Sequence, residues 1–143
     1  MRRFCLILLA FICSNGVFGQ EISKEDILVG FACGVSADKS SKIVKEITEL
    51  LEEKDYNSIS EFLFSKNSGK VFLAIIVLER LDKYNYNKLN SEQKERIRLL
   101  KEYGLLVYNC WGCSSELNTL NEILQQEVYM GYEEWLEEII PIK

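Results

Sequence analysis

The sequence predicts an all-α fold, a small single-domain helical bundle or a short α-solenoid-like array of about six helices. Three observations carry this. The single proline, Pro141, lies near the end of the chain, so nothing interrupts a helix before it. Apolar residues recur at the 3.6-residue helical period in several segments. Those segments open at serine, threonine, asparagine or aspartate, the residues that cap helix N-termini.

In chain order, Arg2 and Arg3 precede a nearly unbroken apolar run from Phe4 to Cys13, followed by the small and polar Ser14-Asn15-Gly16-Val17-Phe18-Gly19. This is the layout of a bacterial-type secretory signal peptide, with Val17 and Gly19 placed for a cut before Gln20. The run is shorter than the ~20 residues needed to cross a bilayer. A retained anchor or buried first helix is one alternative. A lipid-modified Cys13 is another, against which bulky Ile12 stands where a small residue is expected. The chain therefore divides into a cleaved signal peptide, 1–19, and one helical domain, 20–143, with no stable membrane span in the mature form. An exported, periplasmic or secreted protein is expected.

The mature part reads as helices. Ser23 caps a first helix carrying Ile27, Leu28, Phe31 and Ala32 and ending near Gly34. Ser40 or Ser41 opens a second, with Ile43, Val44, Ile47, Leu50 and Leu51 as its apolar stripe. Asp55 begins a short third, bearing Ile59, Phe62 and Leu63. Asn67 and Ser68 cap a fourth, from about Lys70 to Tyr84. It contains Val71 to Leu78, apolar on every side, and so belongs at the centre of the fold. Asn90 and Gln93 form a capping pair for a fifth, which buries Ile97, Leu100 and Tyr103 and stops at Gly104. Leu105 to Cys110 is open between strand and helix. Thr119 and Glu122 make a capping box for the last helix, which carries Leu120, Ile123, Leu124, Val128, Tyr132, Trp135, Leu136 and Ile139 and is bent at Gly131.

The segment Ser58 to Leu81, SISEFLFSKNSGKVFLAIIVLERL, has a short helix, a polar turn and a longer helix with Val71, Ala74, Leu78 and Leu81 at inward spacing. It resembles a single HEAT or armadillo-type helical repeat. The resemblance covers that stretch alone, with no second copy of its turn. It implies a scaffold that binds another protein on a helical surface and does no catalysis itself, although such repeats need neighbours to bury their faces.

Charge and composition narrow the chemistry. Removing residues 1–19 from 143 leaves 124, and because that piece carries Arg2, Arg3 and no acid, the net charge goes from −5 to −7. An acidic chain without a basic stripe is not built for nucleic acid, and an unidentified, basic protein is the electrostatically reasonable partner. There is no histidine. Ser-His-Asp and Cys-His nucleophiles, His-ligated zinc and haem attachment are thereby excluded. No metal, cofactor or catalytic residue is assigned.

Cys33, Cys110 and Cys113 remain after cleavage, the last two in the tetrapeptide Cys110-Trp111-Gly112-Cys113. A thiol-disulfide pair is one reading. However, thioredoxin-like sites set such a motif at the start of a helix in an α/β domain with a proline loop, and no βαβ pattern precedes it here. The preferred reading is structural, because an exported domain pairs its cysteines. A bridge from Cys33 to Cys110 or Cys113 closes a loop of about 80 residues, worth on the order of 4 kcal/mol. Cys33 is otherwise a core residue of an apolar helix. Glu133, Glu134, Glu137 and Glu138 form an acidic ladder, read first as a solvated helix face and second, with Trp111, as an interaction surface. Tyr84, Tyr86, Tyr132 and Trp135 at helical spacing are read as core.

The sequence thus predicts an exported, non-catalytic protein-binding module stapled by a disulfide, either a helical scaffold or an inhibitor. In its acidic, stapled character it is similar to immunity proteins that block a toxic enzyme. The alternative is a thiol-disulfide redox protein using Cys110-Trp111-Gly112-Cys113. N-terminal sequencing of the exported pool should find a chain beginning at or next to Gln20; an intact Met1 there would remove the signal-peptide assignment.

Overall fold

The structure, a computed structural model, describes residues 23–34, 40–126 and 130–142. Residues 1–22, which hold the expected signal peptide, lie outside this set. Chain order gives α1 (Lys24–Ile27), β1 (Val29–Cys33), α2 (Lys42–Glu52) and α3 (Tyr56–Glu61), which runs into a 3-10 turn (Phe62–Phe64). Then follow α4 (Ser68–Lys83), α5 (Ser91–Glu102), β2 (Leu106–Gly112), β3 (Ser114–Thr119), α6 (Leu120–Leu124) and α7 (Tyr132–Ile139).

The fold is α/β, which overturns the all-α expectation in both its bundle and its solenoid-like form. Strand order is β1-β2-β3, with β1 parallel to β2 and β2 antiparallel to β3. Helix periodicity succeeds where the apolar stripe is local. Ser41, Asp55, Asn67, Asn90 and Thr119 are the N-caps, and Asn90–Gln93 and Thr119–Glu122 form full capping boxes. Three expected features differ in the structure. The first helix stops at Ile27, because Val29-Gly30-Phe31-Ala32-Cys33 is drawn out into β1 by pairing with a strand far along the chain. Cys33 is accordingly a strand residue. The last helix is two, α6 and α7, the second starting from Gly131 at φ +74°. Tyr103, expected to be buried, is 78% exposed, since it lies beyond the last turn of α5. Leu105–Cys110 resolves to strand from Leu106 on.

α4 is the centre. Every residue from Val71 to Leu78 is buried, as is Leu81. On one side lie α2, with Ile43, Val44, Ile47 and Leu51 turned inward, and α3 with its 3-10 turn, contributing Ile59 and Leu63. β2 covers another side through Val107, and Tyr132 of α7 meets the Phe72 ring edge-on at 6.0 Å. The Ser58–Leu81 helix pair is thus packed against a sheet as well as helices. At its start α4 is crossed by the α1–β1 connection. Asn67 caps the helix through Gly69 N and Lys70 N and donates its Nδ2 to Asp26 O at 2.6 Å. A Cβ on Gly69 would lie 2.5 Å from Ile27 O and from Ile43 Cδ1, so only glycine allows that crossing. Among the described residues no helix is long and apolar enough to cross a membrane.

Leu78→Ala should cost about 2–5 kcal/mol, since the site is enclosed on all sides and cannot collapse freely. Denaturant titration checks this, and a loss below about 1 kcal/mol would show that α4 is not the enclosed centre.

Candidate functional site

The tetrapeptide Cys110-Trp111-Gly112-Cys113 is the tip of a β-hairpin. The last cross-strand pair is Trp111 with Ser114, so Gly112 and Cys113 form a two-residue turn. Gly112 has φ +55° and Cys113 has no positive φ, the sign pattern of a type II′ turn, which takes glycine at its first central position. The motif's glycine is therefore explained by hairpin geometry. Cys113 sits at the tip as a free, exposed thiol.

Cys110 is bonded to Cys33, 77 residues away, with the two Cα atoms 5.7 Å apart, well within the range a disulfide spans. Of the three candidate cysteines the fold pairs Cys33 with Cys110 and leaves Cys113 out. The hairpin meets strand β1, where the sequence reading had a first helix. Cys33 lies opposite Gly112, and Gly34 N donates to Gly112 O at 2.7 Å, so the bridge and the ladder hold the same junction. Its two sulfurs lie over Gly30. An added Cβ there would overlap both Cys33 Sγ and Cys110 Sγ, so the second residue of β1 must have no side chain.

Trp111 points to the opposite face of the sheet from Cys110. Its ring lies on Gly131, where a Cβ would come within 2.7 Å of Cζ3, yet it stays 40% exposed. It therefore lies over the start of α7, away from the bridge, and offers part of its ring as surface. Gly131 is the N-cap of α7, so Trp111 stands at the helix end that bears Glu133 and Glu134. Glu133, Glu134, Glu137 and Glu138 are all exposed, while Tyr132, Trp135 and Leu136 face inward. Trp135 packs on Phe31 of β1 with ring centroids 5.1 Å apart and donates its Nε1–H to Thr48 Oγ1 at 3.2 Å. The Tyr132 hydroxyl is pushed up to about 12, first by burial and then by the neighbouring Glu133 charge. The structure thus brings Trp111 to the start of the acidic ladder, with Glu137 and Glu138 a turn further on. Tyr132 and Trp135 are core, and Tyr84 and Tyr86 are half-buried.

Sequence reasoning missed β3 and the outer sheet face. Leu106, Tyr108 and Leu117 share that face with the disulfide, and Leu106 and Leu117 are 50% and 60% exposed. The one local signal was Gly112, a turn residue closing the apolar run Leu105–Cys110; Ser114–Thr119 carries no strand pattern of its own. Elsewhere a crevice of about 470 Å³ between α4 and α5 is lined by Glu79, Asp82, Lys94, Arg98 and Lys101. Its two acids are paired, Glu79 with Lys101 at 2.6 Å and Asp82 with Lys94 at 3.8 Å, while Lys83 also lines it and Arg98 is held from outside the crevice by Glu95 and Glu102 at 2.8 and 2.5 Å. Among the described residues no three His, Cys, Asp or Glu converge on a metal position. No family model, curated protein or solved structure matches the chain.

Cys33→Ser should cost about 2–5 kcal/mol in denaturant titration, the usual range for a native bridge closing a long loop. Gly30→Ala should imitate it, because the added methyl and the bridge cannot occupy one place. Thiol titration of Gly30→Ala should then label Cys33 and Cys110 beside Cys113; an intact bridge in that variant would contradict the packing described.

Proposed function

We propose that this chain is an exported, non-catalytic module that binds another protein, its binding surface braced by the Cys33–Cys110 bridge. The observation that carries the reading is that Cys110 is bonded to Cys33 and not to Cys113. The tetrapeptide is a hairpin turn held to β1, and its tryptophan is left partly exposed at the head of an acidic helix. A disulfide is compatible with an oxidising, exported location. Four exposed carboxylates on α7, in a chain of net charge −5, favour a basic partner. The free Cys113 thiol, three residues from a bridged cysteine, is the one feature that favours the thiol-disulfide alternative.

Equilibration against defined thiol buffers separates the two. A structural bridge should titrate below about −300 mV. A midpoint near −200 mV, together with recovery of a Cys110–Cys113 link by peptide mapping, would replace the binding reading with the redox one.

A further inference from the structure

The sheet has two edges, and among the described residues only one is closed. Along β1, Ser41 N donates to Gly30 O at 2.8 Å, Gly30 N donates to Ser41 Oγ at 3.1 Å, and Ser40 Oγ donates to Phe31 O at 3.4 Å. The outer edge of β3 has no such cover among the described residues. The pairing identifies which of its groups are open. A two-residue turn makes Trp111 and Ser114 a pair that exchanges both backbone bonds. Alternation along the ladder makes Asn109–Glu116 and Val107–Asn118 the next such pairs, and it turns the N–H and C=O of Ser115, Leu117 and Thr119 outward. Thr119 is already engaged as the N-cap of α6, its N–H donating to Glu122 Oε2 at 2.7 Å. The open groups are therefore the N–H and C=O of Ser115 and of Leu117.

These groups flank Glu116, the only charged residue of β3. A second copy pairing through the same groups about a two-fold axis would set Ser115 against Leu117 and Glu116 against Glu116, a like-charge pair directly opposite. No lysine or proline protects the edge, the usual devices against strand addition. We propose that β3 receives an extended segment of a partner protein as a fourth, antiparallel strand, with a lysine or arginine opposite Glu116. The residues on either side of that cation lie opposite Ser115 and Leu117, on the outer face beside Leu106 and Tyr108, and are apolar. Trp111 shares Glu116's face as its diagonal cross-strand neighbour, so the incoming cation also meets an indole. The proposal rests on the protein-binding reading and adds to it a site, a backbone mode and an apolar–basic–apolar pattern.

Cys113 supplies the test, because it is free, exposed and one residue from the start of β3. A bromoacetylated peptide of alternating valine and lysine, on a short glycine-serine linker, is attached to Cys113 of the full chain as a thioether, which raises its local concentration to the millimolar range. Amide hydrogen exchange should slow at least tenfold at Ser115 and Leu117. The same peptide with glutamate for lysine should give no protection, and Glu116→Lys should reverse that preference. N-methylation of the two peptide residues that face the open groups should abolish the protection. Unchanged exchange at Ser115 and Leu117 with the lysine peptide would overturn the proposal. A native partner whose binding is lost on neutralising Glu133, Glu134, Glu137 and Glu138, but leaves those two amides unprotected, would overturn it too while leaving the binding reading intact. Slow exchange at both amides in the untethered chain, together with a dimeric mass, would assign the edge to a second copy instead.

Discussion

The structure depends on covering α4 on every side. A helix with eight consecutive buried residues from Val71 to Leu78 has no face to give to solvent, and one layer of helices covers only part of its circumference. α2, α3 and the 3-10 turn take one part, and β2 with the strands beside it takes another. The long span from α2 through α5 then serves as the crossover that parallel pairing of β1 and β2 requires. The demand of one apolar helix thus accounts for a sheet whose own strands are short.

A parallel pair whose strands are some 80 residues apart in sequence is costly to assemble, since the intervening chain must be ordered before the pairing contributes. The Cys33–Cys110 bridge lowers that cost by restricting the unfolded chain across a separation of 77 residues. It also sets requirements on its surroundings. Gly30 must be bare to leave room for the sulfurs, and Cys110 must face away from the core helix. Trp111 then turns to the other face, where it closes over Gly131 and fixes where α7 starts. Position and orientation of the acidic face therefore follow from the strand register.

Those constraints also set which polar groups the hairpin region presents. They are the exposed carboxylates of α7 and, among the described residues, the outward backbone groups of β3, the features on which the proposed binding reading rests. The crevice between α4 and α5 holds more titratable groups, and its two acids pair with lysines in the manner of surface ion pairs. The bridge on β2 and the two-residue turn at the hairpin tip together set where the β3 edge lies.

The sequence by itself determined the local features. Caps at Ser41, Asp55, Asn67, Asn90 and Thr119, the enclosed α4, and a long-range bridge from Cys33 to the Cys110-Trp111-Gly112-Cys113 stretch were all legible, because each rests on neighbours within a turn or on residue chemistry. The tertiary structure alone decided the sheet. Val29 to Cys33 contains apolar residues at a spacing that suits either period, and only pairing with β2 selects the extended form. Ser114 to Thr119 has no alternation to read, and becomes a strand because a tight turn lays it along β2. Strand identity here is a property of partners distant in sequence, and a window of adjacent residues does not contain them.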